Sequence, residues 1–292
     1  MSNPLGGIGV FDSGMGGLDV AAALSQILPN ERLVYLGDNA RVPYGTKSAE
    51  MVRHYTYEAA QWLLKYNIKA LVIACNTASA AVDIDVLESE LGIPVFGMIE
   101  AGVMACDQVI NSKQLNIPQL VILATPGTVK SNAYQKALLI KFPKLSPIAI
   151  ACPLFVPLVE MGWENHLLTA QLVEAQLNDY DQKLKPWQST LKSQHCIYLL
   201  GCTHYPMMKD SIIAGLNRIH HTPFSCIDGA QSVAMLLKNR LQELSLLNSQ
   251  STVSVHTAYL TDDPNRTSAM DLALRFWRKR GGVGELNIRS AS

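Results

Sequence analysis

Two apolar runs that end in a cysteine decide the architecture of this chain. The first reads Ala70-Leu71-Val72-Ile73-Ala74-Cys75-Asn76-Thr77, and the second reads Ile197-Tyr198-Leu199-Leu200-Gly201-Cys202-Thr203-His204. A short apolar run that stops at small polar residues is typical of a buried strand leading into a loop. We therefore expect Cys75 and Cys202 each to lie at the carboxyl end of a buried strand.

The rest of the chain repeats this pattern of strand, polar loop and helix. The first strand covers residues 7–11 and leads into Asp12-Ser13-Gly14-Met15-Gly16-Gly17. Further strands are predicted at 32–38, 70–74 and 95–100, and then at 120–124, 147–151 and 196–200. Apolar strands alternating with helices indicate parallel sheets covered on both faces. We predict an α/β fold with two pseudo-symmetric lobes, each a mainly parallel sheet flanked by helices.

The lobe boundaries follow from counting the strands. Residues 1–99 hold four strands and residues 100–211 hold three, ending at the second cysteine. The remaining segment, with strands at 224–227 and 253–260 and a last helix at 265–280, is expected to complete the first lobe, which then comprises 1–99 and 212–292. Ligands bind outside the carboxyl ends of parallel strands. We therefore expect the active site in the cleft between the lobes.

The overall composition excludes several classes of function. The 292 residues include 24 basic and 24 acidic ones, and 48% are hydrophobic, which argues against disorder and against binding nucleic acid through bulk charge. The basic cluster at 275–280 is interpreted as a solvated helix face. No signal peptide or membrane-spanning run is recognised, so a soluble, cytoplasmic protein with reduced cysteines is expected. The cysteine spacing predicts no metal site. Four cysteines are assigned to packing: Cys106, Cys152, Cys196 and Cys226.

Two symmetric cysteines indicate a symmetric reaction. Each precedes a helix start, which lowers the pKa of a thiol. One activated cysteine would suggest a nucleophile. Two suggest racemisation, in which one thiolate removes a proton from a stereocentre and the other thiol returns a proton to the opposite face. Without a carbonyl-activating cofactor, the carbanion must be stabilised by hydrogen bonds and by exclusion of water.

Polar residues beside the cysteines suit an amino-acid substrate. Asn76, Thr77 and Thr203 could hold its carboxylate. Asp12 and Glu160 could hold its ammonium group or tune the nearby thiol. His204, next to the second cysteine, could assist deprotonation of that thiol.

Six sequence blocks stand in order over about residues 8–230. They are Gly9-Val10-Phe11-Asp12-Ser13-Gly14-Met15-Gly16-Gly17, Asp38-Asn39-Ala40-Arg41-Val42-Pro43-Tyr44-Gly45, Ala74-Cys75-Asn76-Thr77-Ala78, Ala124-Thr125-Pro126-Gly127-Thr128-Val129, Cys152-Pro153-Leu154-Phe155-Val156-Pro157-Leu158-Val159-Glu160 and Leu200-Gly201-Cys202-Thr203-His204-Tyr205-Pro206. Together these blocks resemble the cofactor-independent glutamate racemases of the aspartate/glutamate racemase family.

The resemblance implies interconversion of L- and D-glutamate without cofactor or metal, supplying D-glutamate for peptidoglycan, by a homodimer. It implies that Cys75 acts on the D-enantiomer and Cys202 on the L-enantiomer, supported by Asp12, Glu160 and His204. The implied substrate contacts are Asp12, Ser13, Pro43, Tyr44, Gly45, Asn76, Thr77, Thr125, Thr203 and His204.

Two features depart from the family pattern. Asp228-Gly229-Ala230 stands where the family tends to have Asp-Ser-Gly, and the N-terminal extension of precursor-activated members is nearly absent, so such activation is not expected. Three alternatives stay open. They are a related racemase acting on aspartate or hydantoins, a non-catalytic two-lobed amino-acid binder, and a cysteine hydrolase that uses Cys202 alone.

Overall fold

A computed structural model describes residues 5–188, 195–219, 222–249, 254–263 and 267–291. The chain divides into two compact units. The first comprises Met1–Ala101 and Ala230–Ser292, and the second comprises Gly102–Gly229. Each unit is built around one parallel sheet.

The first unit contains six strands. Its elements are β1 (Gly7–Asp12), α1 (Leu18–Ile27), β2 (Leu33–Gly37), α2 (Ala49–Leu64), β3 (Ile68–Ile73), α3 (Asn76–Ala81), α4 (Ile84–Leu91) and β4 (Val95–Gly97), and α5 (Met98–Ser112) then leads into the second unit. The C-terminal part of this unit adds α11 (Ala230–Glu243), β9 (Val255–Leu260), α12 (Thr267–Arg280) and β10 (Glu285–Ser290).

The second unit contains four strands. Its elements are β5 (Gln119–Ala124), α6 (Pro126–Ser131), α7 (Ala133–Lys141), β6 (Ile148–Ala151), α8 (Phe155–Glu160), α9 (Leu167–Gln188), β7 (Cys196–Gly201), α10 (Lys209–Ile219) and β8 (Phe224–Ile227). Strands β5 and β7 are almost wholly buried, as expected for central strands of a covered parallel sheet.

The two sheets share one strand order. The first runs β10-β9-β2-β1-β3-β4 and the second runs β6-β5-β7-β8. Strands β2, β1, β3 and β4 of the first sheet therefore correspond in order to β6, β5, β7 and β8 of the second. In register, Phe11 pairs with Ile73 and Leu123 pairs with Leu200. Cys75 lies two residues after Ile73, and Cys202 lies two residues after Leu200. Cys75 and Cys202 therefore occupy equivalent places, as the α/β prediction of two related lobes requires.

The position of β8 corrects the predicted lobe boundary. We expected residues 212–292 to return to the first lobe, but β8 pairs in parallel with β7, with Ser225 opposite Ile197. The boundary at 211/212 therefore moves to 229/230, and only the segment from Ala230 onward joins the first unit. The earlier boundary moves from 99/100 to 101/102. The chain becomes helical at Met98, where the sequence predicted a strand to residue 100.

The C-terminal segment extends the first sheet by two strands. Strand β9 pairs with β2, and β10, which the sequence did not predict, pairs with β9. Residue 253, at the predicted start of β9, and residues 265–266, at the predicted start of the last helix, lie outside the described residues.

The last turn of α12 corrects the interpretation of the basic cluster. Arg278 and Lys279 are exposed, but Arg280 is half-buried and binds Asp19 of α1, with Nε 2.9 Å from Oδ1 and Nη2 2.5 Å from Oδ2. One member of the cluster therefore fastens α12 to α1. Within the described part of the chain, no helix has both the length and the apolar character that a membrane span needs.

His256 ties β9 to its surroundings through both ring nitrogens. Its Nδ1 accepts the Leu33 N–H at 3.2 Å, and its Nε2 lies 2.9 Å from the Val283 carbonyl oxygen, to which it donates. Burial lowers the pKa of His256. The folded state therefore holds the ring neutral, whereas the unfolded state protonates it more readily. The stability that neutral His256 contributes to the folded state is complete above the ordinary histidine pKa of about 6.5 and is lost as pH falls below it.

We expect acid to destabilise the first unit through His256. Protonation removes the acceptor of the Leu33 N–H, which costs about 1 kcal/mol. Urea unfolding at about pH 8 and about pH 5, on either side of the ordinary pKa, should show a smaller pH dependence in His256→Asn than in the wild type. Equal slopes in the two proteins would contradict the assignment.

Candidate active site

In the first unit, Cys75 and Asp12 meet at the carboxyl ends of β3 and β1. Cys75 is the N-cap of α3, and its Sγ accepts the Ala78 N–H at 3.4 Å. The thiol also donates to Ser13 Oγ, 3.4 Å away. Asp12 is fully buried, and its Oδ2 accepts the Gly14 N–H at 3.0 Å. The end of β1 and the loop after it thus place the Ser13 hydroxyl against the thiol and the Asp12 carboxylate near it.

Gly17 makes this arrangement possible. A Cβ at residue 17 would lie 2.5 Å from Asp12 Cβ and 3.1 Å from Ala74 Cβ. Only glycine lets the start of α1 approach the ends of β1 and β3 so closely. The glycine-rich loop therefore serves close packing around Asp12.

The pKa of Cys75 is raised to about 11. Burial is the largest cause, and the Asp12 carboxylate adds to it; hydrogen bonds with Ser13 and Ala78 act in the opposite direction. The sequence led us to expect a thiol activated by the following helix. That expectation is wrong for Cys75 without substrate, because desolvation and a neighbouring negative charge outweigh the helix.

The loop after β2 holds Tyr44 through a buried carboxylate. The Tyr44 hydroxyl donates to Asp38 Oδ2 at 2.5 Å, and Arg41 Nε donates to the same oxygen at 2.6 Å. Tyr44 is 1% exposed, whereas Gly45 is half-buried and Pro43 is exposed. Burial, followed by the hydrogen bond to Asp38, raises the pKa of Tyr44. The phenol is therefore a buried anchor for this loop.

Asp38 and Tyr35 were not among the predicted site residues. Asp38 directly follows β2, so the strand-end argument that selected Asp12 applied to it as well. The buried Tyr35 hydroxyl donates to the Gly14 carbonyl oxygen at 2.7 Å. Burial and the nearby Asp12 and Cys75 raise the pKa of Tyr35. A tyrosine inside an apolar strand gives no signal in sequence, because packing explains it equally well.

In the second unit, Thr125 and Cys202 follow neighbouring strands. Ala124 of β5 lies opposite Gly201 of β7, so the residues after them emerge side by side. Thr125 caps α6 by accepting the Thr128 N–H at 3.3 Å. Both Thr125 and Cys202 are buried.

His204 and Glu160 form a pair beside Cys202. His204 Nε2 lies 3.3 Å from Glu160 Oε1, and His204 Nδ1 lies 3.4 Å from Thr203 Oγ1. His204 is buried, whereas the Glu160 side chain is 38% exposed at the end of α8. The structure thus brings Glu160 into contact with His204, which lies 44 positions later in the sequence.

The predicted site residues therefore form two sets, each at the carboxyl end of its own sheet. The first unit holds Asp12, Ser13, Pro43, Tyr44, Gly45, Cys75, Asn76 and Thr77, and the second holds Thr125, Glu160, Cys202, Thr203 and His204. Asp228, whose loop departs from the family pattern, follows β8 and precedes α11. Among the described residues, no cluster of three or more His, Cys, Asp or Glu side chains is arranged to bind a metal ion.

The family model for Asp/Glu/hydantoin racemases matches residues 8–237 of this chain. The chain belongs to this family. The resemblance seen in the six sequence blocks is thereby confirmed, and the match spans both units, including every predicted site residue.

Relatives within the family are similar over most of their length. The glutamate racemase of Lysinibacillus sphaericus is 39% identical over 255 residues, covering 87% of this chain and 88% of the relative. That of Geobacter metallireducens is 37% identical over 261 residues, covering 89% of each.

Solved structures of the family share the fold. Glutamate racemase of Francisella tularensis in complex with D-glutamate has a TM-score of 0.80 and 31% identity, covering 99% of each chain. Glutamate racemase of Thermus thermophilus in complex with β-chloro-D-alanine has a TM-score of 0.77 and 35% identity, covering 99% of this chain and 97% of that one. The predicted α/β fold is therefore confirmed.

The high pKa of Cys75 leads to a testable expectation. Alkylation of this thiol by iodoacetamide, followed by peptide mass spectrometry, should still accelerate with pH above about 9, because only the thiolate reacts. Asp12→Asn removes the negative charge that helps to raise the pKa, so the variant should react faster at a given pH. Asp85→Asn, which removes the same charge from an exposed position on α4, is the control. An Asp12→Asn profile identical to that of the wild type would contradict the electrostatic assignment.

Proposed function

We propose that this chain is a glutamate racemase that interconverts L- and D-glutamate by proton transfer between two cysteines. The observation that carries the proposal is the equivalent placement of Cys75 and Cys202, two buried thiols after matching strands of two sheets with one strand order. Glutamate is supported as the substrate by relatives of that activity across most of the chain and by a similar structure that holds D-glutamate.

The proposed reaction uses one thiolate and one thiol in each turnover. For D-glutamate, the Cys75 thiolate takes the α-proton, and the Cys202 thiol donates a proton to the opposite face of the carbanion. The product is L-glutamate, with Cys75 protonated and Cys202 deprotonated. The reverse reaction exchanges these roles, so protons balance without a cofactor. The assignment of each cysteine to one enantiomer follows the family resemblance.

Substrate binding would supply the activation that Cys75 lacks alone. With a pKa of about 11, ionising this thiol at neutral pH costs about 5 kcal/mol. A substrate ammonium group beside Asp12 would neutralise the carboxylate that contributes to this cost and would add a positive charge near the thiol. Both effects lower the thiol pKa. Substrate binding would therefore increase the fraction of Cys75 that is thiolate at neutral pH, at the moment when the base is needed.

The neighbouring polar groups have supporting roles in this proposal. Ser13, Asn76, Thr77, Thr125 and Thr203 supply hydroxyl and amide groups for the two substrate carboxylates. The loop of Pro43, Tyr44 and Gly45 contributes its backbone, since the Tyr44 hydroxyl is held by Asp38. Glu160 orients His204 next to Cys202. In a site closed to water, such fixed dipoles stabilise developing negative charge.

The proposal also includes the biological setting implied by the family resemblance. D-glutamate would be supplied for peptidoglycan synthesis in the cytoplasm, by a homodimer that needs neither pyridoxal phosphate nor a metal ion.

Deuterium incorporation tests the proposed function. Each glutamate enantiomer is incubated with the protein in heavy water, and the α-carbon and the configuration are followed by NMR and chiral chromatography. We expect the enantiomer that forms to carry deuterium from solvent. Racemisation without deuterium incorporation would overturn the mechanism. Racemisation of aspartate or a hydantoin in place of glutamate would overturn the substrate and favour the alternative.

A further inference from the structure

Thr261, the residue directly after β9, contacts the loop that follows β2. Its Oγ1 donates to Asp38 Oδ1 at 3.0 Å and accepts the Ala40 N–H at 3.0 Å. Its own N–H donates to the Gly37 carbonyl oxygen at 3.1 Å. One threonine thus binds three successive parts of the same loop with its hydroxyl and its backbone.

The next residue strengthens this attachment. The Asp262 N–H donates to Asn39 Oδ1 at 2.9 Å. The end of β9 therefore holds residues 37–40 from the side opposite to β1, because β2 lies between β1 and β9 in the sheet.

The Asp38 carboxylate connects Thr261 to Tyr44, because it accepts a hydrogen bond from each hydroxyl. Its Oδ1 accepts from Thr261, while its Oδ2 accepts from Tyr44 and Arg41. Asp38 is 1% exposed, so its orientation depends on these donors. Loss of the Thr261 hydroxyl would leave Oδ1 short of a donor and would let the carboxylate, and with it the Tyr44 hydroxyl, rotate.

We infer that Thr261 is a positioning residue for the loop of Pro43, Tyr44 and Gly45, and that it sets the affinity for substrate through Asp38. This inference rests on the proposed function, because the loop's contact with glutamate belongs to that proposal. Thr261 lies beyond residue 237, where the match to the family model ends. The C-terminal segment thereby contributes to the site as well as to the sheet.

Thr261→Val tests the inference, because valine keeps the shape and removes the hydroxyl. We expect KM for both enantiomers to rise by about 10-fold with a smaller change in kcat. A change of this size is expected from the loss of one hydrogen bond to a carboxylate. Thr261→Ser, which keeps the hydroxyl, should restore most of the affinity. Thr257→Val makes the same change on the same strand. Within the described ranges the Thr257 hydroxyl forms no hydrogen bond, so this control should match the wild type.

A second readout does not depend on activity. Hydrogen–deuterium exchange of the amides of residues 38–46, Ala40 above all, should be roughly 10-fold faster in Thr261→Val than in Thr257→Val. Unchanged exchange would overturn the inference whatever the kinetics. Faster exchange with an unchanged KM would overturn the link from loop to substrate. A wild-type protein without racemase activity would instead refute the proposed function.

Discussion

Cys75→Ala and Cys202→Ala are each expected to lower kcat/KM for glutamate by at least about 1,000-fold. A positioned acid or base contributes about 100- to 10,000-fold, and in a two-base racemase each thiol acts once in every turnover. Because the enantiomers have equal free energy in solution, kcat/KM must be the same in both directions for any variant. Both directions should therefore fail together in each variant, as measured by chiral chromatography.

The two variants should nevertheless differ in proton exchange. Cys75→Ala retains the base assigned to L-glutamate, so it should exchange the α-proton of L-glutamate slowly with heavy water without inverting it. Cys202→Ala should do the same with D-glutamate. Cys196→Ala, at the buried start of β7, controls for loss of a packed thiol and should remain active. Substantial racemisation in either single variant would contradict the two-base mechanism. An activity that requires Cys202 but not Cys75 would favour a hydrolase.

Gly37→Ala is expected to impair both stability and activity. A Cβ at residue 37 would lie 2.2 Å from the Gly14 carbonyl oxygen, which also accepts the Tyr35 hydroxyl. Neither the backbone at Gly14 nor the buried end of β2 can yield easily. We expect a loss of at least about 2 kcal/mol in unfolding free energy. The displaced loop carries Ser13, which contacts Cys75, so kcat/KM should fall by about 100-fold.

Gly97→Ala is the control that distinguishes the contact with Gly14 from the general effect of adding a Cβ at a strand end. Gly97 ends β4, and a Cβ there would meet Ile84 Cδ1 at 3.1 Å, the flexible end of a side chain. Gly97→Ala should therefore cost little stability and leave kcat/KM within about 3-fold of the wild type. Thermal unfolding and kinetics on both variants check the pair. Equal effects in Gly37→Ala and Gly97→Ala would show that the contact with Gly14 is not the cause.

The sequence could predict the strands and the cysteines because those signals are local. An apolar run ending at a polar residue marks a strand end wherever the strand lies in its sheet. The partner of a strand is not local, which explains the misplaced boundary. Strand β8 has four half-buried residues that fit either sheet, and only its pairing with β7 assigns it. Strand β10 contains Glu285 and Arg289 at a sheet edge, so it lacks the apolar run of a buried strand.

The raised pKa of Cys75 could not be predicted from the residues next to it in the sequence either. A helix start after Cys75 is visible in sequence, but the burial of the thiol and the proximity of Asp12, 63 residues earlier, are not. Burial of the thiol and the Asp12 carboxylate together decide that the pKa of Cys75 rises. Likewise, Tyr44 could be selected as a site residue, but the carboxylate that holds it depends on Thr261, which lies more than 200 positions away.

The discontinuity of the first unit has a consequence for biosynthesis. Strand β2 leaves the ribosome early, yet its partner β9 is separated from it by more than 200 residues that include the whole second unit. At about 5–20 residues per second, the β2 edge stays unpaired for about 10–40 s of translation. A nascent chain therefore carries both cysteines before it has the strand that closes this edge. Catalytic competence should thus appear only near the end of synthesis, after an interval in which the open edge is exposed to chaperones and to aggregation.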